Sequence, residues 1–455
     1  MDLGFDTVGN GTLIAYDSGP VLVTDPWLGG NLYFGSWQMS HEIPEEQSQA
    51  VDAAPFVWVS HGHPDHLHGP SLERLRGKTI LLPDHRGSRI AEALDEEGHR
   101  PRVLVDRSWT RLSDRIRVWT FSDSMQDAGL LVELDGSTLI VNLNDLTNTG
   151  WMPAVRKVAR DYPTVLVMAA SGFGDIRWMN FWDTDGNAIP SYAQLRVEAG
   201  VKIGPENAAL TDAVCGTHFV PFSSMHQYQR EDTLWANKYV TGLDDYTNGY
   251  DSNTSVPLPP YIRYEVGGDM TELLPKEILA PPMPPSSFGD DWSETLTPAE
   301  AKEVTDYFER IETLGSHLDF VTVRVGGREH GVKYQAGDIG VSFEVPRGSL
   351  LTTVRYRIWD DLFASQFMRT TWHGLSVDEG LAAFLAVGRY ADQADVVTAS
   401  QLEEYMSHYR DRAGRLATVR HRVEQELVGH GQSEGAMRSA LYRLGRSVYR
   451  ETIKR

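Results

Sequence analysis

Hydrophobic positions in the first 150 residues come in short runs separated by turn residues. Thr12–Tyr16 and Val21–Thr24 flank Asp17-Ser18-Gly19-Pro20 and read as a hairpin. Phe56–Val59 is a continuous apolar run, the mark of a strand buried on both faces. Helical spacing at Ser71–Arg76 and Ser88–Glu97 alternates with strands at Thr79–Leu82 and Val103–Val105. Three more strands follow at Arg117–Phe121, Leu130–Leu134 and Thr138–Val141. This order predicts an α/β fold of layered sheets with helices outside.

The pattern changes after Tyr250. Between Pro257 and Pro298 lie nine of the 23 prolines, so 257–298 is read as an extended linker. Thr297-Pro298-Ala299-Glu300 then carries a capping-box helix start. Residues 317–358 alternate like paired strands turning at Gly326-Gly327. From Val377 the spacing is helical, with a long amphipathic segment from Ser400 to about Val428. The expected organisation is a catalytic domain over 1–256, the linker over 257–298, and a smaller α+β domain over 299–455 ending in helices.

Composition narrows the function classes. Lys plus Arg is 42 and Asp plus Glu is 63, a net charge of −21. That balance argues against nucleic acid or an anionic membrane as the main ligand. A local excess of basic residues between Tyr409 and Arg455 is read as a solvated helical face, with docking of an acidic partner as the alternative. The N-terminus has neither a basic nor an apolar segment, and Leu381–Val387, the longest apolar stretch, is too short to span a bilayer. A single cysteine, Cys215, allows no internal disulfide and no cysteine-ligated cluster, so a cytoplasmic protein is expected.

The segment Ser60-His61-Gly62-His63-Pro64-Asp65-His66-Leu67-His68 carries the chemistry. It follows an apolar strand and so lies on a loop at the strand's carboxyl end. The His61-x-His63 spacing lets two imidazoles converge on one cation. Asp65 and His66, one turn later, face a neighbouring position. Two adjacent metal sites follow, of the kind that act on one substrate together. His68 lies one residue beyond the pattern, and an outer or surface role is expected of it.

This motif resembles the His-x-His-x-Asp-His signature of the metallo-β-lactamase superfamily. The resemblance implies that fold, an αβ/βα sandwich, followed here by the smaller α+β domain. Asp25-Pro26-Trp27-Leu28, Gly35-Ser36-Trp37, His41-Glu42-Ile43-Pro44, Asn142–Thr147, Ala170–Phe173 and Pro221-Phe222 are similar to the metallo-β-lactamase-like part of CMP-N-acetylneuraminate hydroxylases. By that resemblance Asp25 supports the metal histidines and Asp145 bridges the two metals, with Asp65 and Asp145 the catalytic acids. Those hydroxylases also carry a Rieske domain, which needs two cysteines. With one cysteine, this chain is expected to draw electrons from outside, from a ferredoxin and its reductase.

Superfamily members place a histidine before the strand Leu130–Leu134. No histidine occurs between His99 and His218, and Ser122–Asp127 offers Asp123, with Asp127 as the alternative. The last ligand is expected from His226, with His218 as the alternative. A carboxylate in place of an imidazole suits harder ions such as iron or manganese, whereas zinc favours nitrogen and sulfur. Diiron oxygenases of this fold resemble the pattern. The expected cofactors are two metal ions, iron with zinc or manganese as alternatives, and O2 as co-substrate.

The aromatic run 174–182 offers Arg177, Trp178, Asn180 and Trp182 as walls of a substrate pocket, with core packing as the competing reading. The favoured function is an O2-dependent oxygenase acting on a small molecule. The alternatives are a dinuclear zinc or manganese hydrolase and a non-enzymatic protein with a residual metal site. The region after Pro298 offers no recognisable chemistry.

Overall fold

The structure is a computed structural model that describes residues 1–413, apart from Ser88, 147–149 and 171–177. Two sheets form its centre. The first has eight strands in the order Met270–Glu272, Ile262–Glu265, Leu3–Gly9, Thr12–Asp17, Pro20–Thr24, Phe56–Trp58, Thr79–Leu82 and Arg100–Val103. The second has seven, in the order Val256–Pro257, His218–Pro221, Thr164–Ala169, Thr138–Asn144, Ala128–Leu134, Ile116–Ser122 and Trp109–Arg111.

Alternation along each strand builds the layers. Leu130, Val132 and Leu134 face Phe5, Leu13, Leu22 and Trp58 of the first sheet in one shared core. Leu131, on the opposite face, packs with Met152 and Val155 of the helix Met152–Ala159. On the outside of the first sheet, Ile14, Val23, Val57 and Ile80 meet Val51, Leu72 and Leu94 from three helices. Strands covered on both faces are apolar throughout, which is why they are so visible in the sequence.

A third sheet of six strands forms the C-terminal lobe: Ala188–Ile189, Phe181–Trp182, Arg369–His373, Gly340–Glu344, Phe320–Val325 and Arg328–Lys333. Its core includes Trp359, Leu362 and Phe384 from the helices that cover it.

Several expectations are refined. The stretch read as a linker gives two strands to the first sheet. Ile262–Glu265 pairs with Leu3–Gly9, because the proline-free segment 261–274 is free to donate the ladder hydrogen bonds. The alternating stretch 317–358 stops being strand at Glu344, and Arg347–Tyr356 is helix. The capping box forms as read: Thr297 Oγ1 accepts from the Glu300 amide, and the Glu300 carboxylate accepts from the Thr297 amide at 2.9 Å. The last described helix is Ala399–Ala413, and the basic segment beyond it lies outside the described residues. Among the described residues no helix is long and apolar enough to cross a membrane.

Candidate metal centre

The strand Phe56–Trp58 lies between two parallel neighbours, so its carboxyl end opens at the rim of the sandwich. There the chain turns. The amides of His66 and Leu67 both donate to the His63 carbonyl, which swings Asp65 and His66 to the side of the His61–His63 pair. His61 Nε2 and His63 Nδ1 converge to 2.9 Å. Asp145 enters from the end of the strand Thr138–Asn144 in the other sheet. Its Oδ2 lies 3.8 Å from His61 Nε2 and 3.4 Å from His66 Nε2, between the two sets. Two groups able to hold an ion result, His61–His63–Asp145 and Asp65–His66–Asp145, with Asp145 common to both.

Neighbouring side chains fix these donors. Asp65 accepts from Tyr33 Oη at 2.6 Å and from Asn10 Nδ2 at 2.9 Å. Asp25, fully buried at the end of its strand, accepts from the Ser60 amide at 2.7 Å and from Asn144 Nδ2 at 2.8 Å. Its Oδ2 faces His66 Nδ1 at 3.5 Å. Ser60 Oγ lies 2.9 Å from His61 Nδ1. His68 is turned away, with its Nδ1 2.7 Å from Ser71 Oγ.

Electrostatics match a site built around cations. Burial lowers the His61 pKa well below its ordinary value, and the neighbouring His66 and His63 add to this. Burial opposes charge on His66 too, yet Asp65 and Asp145 raise it well above 6.5. Burial pushes Asp127 up to about 8, with Arg389 only partly offsetting it. So many acids and imidazoles in one dry place are costly without a neutralising ion. His66 Nε2 and both nitrogens of His226 are buried without hydrogen-bond partners. These orphaned atoms and the mixed nitrogen and oxygen donor set fit divalent metal ions.

The remaining expected ligands are placed as follows. Asp123 Oδ1 accepts from the Met125 amide at 2.8 Å and from the Asp127 amide at 3.4 Å, bracing its own loop. Asp127 is the acid turned toward the site, 3.9 Å from His61 Nε2 and 3.0 Å from Arg389 Nη1. Asp123 thus closes a turn on itself, as an Asp two residues before a free amide does. His226 sits on the short strand His226–Tyr228, paired with Trp37–Met39, and its ring stacks on Trp37. His218 stands at the start of its strand and touches Thr217 Oγ1 at 2.8 Å.

Trp178, Asn180 and Trp182 pack against the other lobe. Trp178 stacks on Phe363 at 4.3 Å. Asn180 donates to the carbonyls of Gln366 and Phe367 and accepts from Trp182 Nε1. Trp182 joins the third sheet, where Arg369 lies over its ring at 4.0 Å. The short strand Phe181–Trp182 needs partners for its amides, and the lobe supplies them. Arg177 lies outside the described residues.

The C-terminal lobe contributes residues that the sequence reading missed. Asp360 Oδ2 lies 3.7 Å from His63 Nε2, and Arg389 Nε lies 3.4 Å from the same carboxylate oxygen. Nothing in the spacing around Asp360 or Arg389 marks them; only the docking of the lobe does. A small cleft opens nearby, lined by Ser60, Leu82, His85, Ile90 and Gln126 among others.

No protein-family model matches the chain. A stretch of 143 residues is 29% identical to the cytidine monophosphate-N-acetylneuraminic acid hydroxylase of Danio rerio, spanning 29% of this chain and 24% of that protein. The match thus spans about a quarter of the hydroxylase. Among solved structures, an isothiocyanate hydrolase from Delia radicum gut bacteria is 13% identical with a TM-score of 0.39, covering 58% of this chain and 98% of that one. The metallo-β-lactamase fold protein YhfI of Bacillus subtilis is 10% identical with a TM-score of 0.33, covering 57% and 99%. The two-sheet sandwich, the histidine loop at a strand end with its Asp145 partner, and the sequence match identify the chain as a metallo-β-lactamase-fold protein.

Proposed function

We propose that the chain is a dinuclear metal enzyme that binds two irons and hydroxylates a small molecule with O2. The observation that carries this reading is the first donor group. His61, His63 and Asp145 are two imidazoles and one carboxylate, the set used by non-haem iron oxygenases. The nearby loop adds a carboxylate, Asp127, where an imidazole would favour zinc. The sequence match to a hydroxylase supports the same reading.

Two irons held by His61, His63, Asp65, His66 and Asp145 would supply the redox chemistry that O2 activation needs. The balance is R–H + O2 + two electrons + two protons giving R–OH + H2O. The electrons come from a one-electron protein donor of the ferredoxin class. Within this scheme the chain's own groups hold the geometry. Tyr33 and Asn10 lock Asp65, Asp25 and Asn144 hold the His66 face, and Ser60 orients His61. The division into a metal-binding sandwich and a C-terminal lobe is part of this proposal, with the lobe closing the site.

The second reading is a zinc or manganese hydrolase, favoured by the same donor set, since two histidines and a carboxylate also hold catalytic zinc. Iron-loaded protein, reduced chemically and mixed with O2, separates the two. Oxygen consumption dependent on iron and reductant supports the oxygenase. Ester or amide turnover by zinc-loaded protein, with no oxygen uptake by the iron form, supports the hydrolase.

A further inference from the structure

Each histidine of the loop has a second ring nitrogen pointing away from its neighbours. For His61 that nitrogen meets Ser60 Oγ, and for His66 it meets Asp25, both from the sandwich. His63 differs. Its Nδ1 converges with His61 Nε2, and its Nε2 points out toward Asp360 on the helix Trp359–Ser365 of the C-terminal lobe. Asp360 is 3% exposed, and neither carboxylate oxygen has a hydrogen-bond partner. At 3.7 Å the contact with His63 is an ion-pair distance.

The lobe is shaped to keep this carboxylate here. Arg389, on the π-helical turn Ala386–Asp392, reaches Asp360 with Nε and Asp127 with Nη1. One residue earlier, a Cβ on Gly388 would lie 1.5 Å from Asp360 Oδ1, so only glycine admits the carboxylate. Burying an acid without a hydrogen bond is costly. A site that retains one beside the free nitrogen of a ligand histidine has the arrangement of a carboxylate–histidine–metal relay, which fixes the tautomer and makes the inner nitrogen more basic.

We propose that Asp360 is a positioning residue for His63, through which the C-terminal lobe sets the affinity of the metal site formed by His61 and His63. Arg389 is the strut that holds Asp360 and ties it to Asp127. This rests on the metal-centre reading and holds for oxygenase and hydrolase alike.

The test is titration of the metal-free full chain with Co2+, followed by its visible absorption, with thermal melting of each metal-free variant alongside. Wild type binds two ions. Asp360→Ala weakens one of them roughly 10- to 100-fold, leaves the other unchanged and changes the spectrum of the weakened site. Asp360→Asn, whose amide oxygen still faces His63 without the charge, loses less. Gly388→Ala, which displaces the carboxylate without altering its charge, weakens the same ion. Two ions bound at wild-type affinity by Asp360→Ala would overturn the proposal. So would equal loss of both ions in the isosteric Asp360→Asn together with a collapsed melting transition, the mark of a purely structural role. A wild-type chain that takes up no Co2+ sinks the metal centre itself, before any variant is compared.

Discussion

The imidazole of His226 lies flat on the indole of Trp37, with ring centroids 3.5 Å apart and planes 5° apart. Burial lowers the His226 pKa to about 3, so the ring is neutral, with a lone pair available. Its nitrogens are buried without partners, and Asp65 is the charge that acts on it. A neutral, clamped imidazole beside an acid is prepared as a metal ligand. His226→Ala is therefore expected to weaken the ion shared with Asp65 and His66 by at least roughly 10- to 100-fold. Trp37→Phe, which keeps a stacking face, should retain both ions. Metal analysis after dialysis checks both.

The two acids of the Ser122–Asp127 segment separate by role. Asp123→Ala removes the carboxylate that accepts from the Met125 and Asp127 amides, and should cost about 1–3 kcal/mol of stability. Asp127→Ala should leave the loop folded and alter metal content or reactivity, because this acid faces His61. Denaturant unfolding combined with metal counting distinguishes them. Silent Asp127 and metal-depleted Asp123 would make Asp123 the ligand of this segment.

Metal affinity should rise with pH. His66 is held protonated above its ordinary range by Asp65 and Asp145, and Asp127 keeps its proton up to about 8. A ligand must lose its proton to bind, so loading releases protons. Affinity then increases by about tenfold per pH unit for each proton released, between about pH 6 and about pH 8. Calorimetric titration in buffers of different ionisation heat counts those protons. A flat profile would mean that neither group binds metal.

Stability of the joint between sandwich and lobe should depend on one buried pair. Arg230 and Asp290 are almost fully buried and lie 2.7 Å apart. The guanidinium also stacks on Phe367 at 3.9 Å, and Ser349 donates to Asp290. Asp290→Ala removes one of the two carboxylates on this buried cation, Asp232 remaining at 2.9 Å, and should cost about 1–3 kcal/mol. A thermal or denaturant melt reads this directly.

The parts of the fold that could be read in the sequence were those with local signals. Thr79–Leu82 ends where its apolar run ends, and Thr297 caps where its side chain can reach the Glu300 amide. The loop His61–His66 announced itself by spacing alone. Asp145 and Asp25 required the superfamily resemblance, because an acid after an apolar strand is common. The pairing of Leu3–Gly9 with Ile262–Glu265 joins segments far apart along the chain, so no window could show it. The contacts of Trp178 and Trp182 with the second lobe are not visible in a sequence window, because the lobe's residues lie far along the chain. Asp360 and Arg389 stayed invisible for the same reason.

The number of metal ions per chain tests the central claim most directly. Protein purified anaerobically from iron-supplemented culture should contain two metal ions per chain by elemental mass spectrometry. His61→Ala and His66→Ala should each fall below two while keeping the wild-type circular dichroism spectrum. A wild-type chain holding no stoichiometric metal, or full occupancy in both variants, would contradict the account.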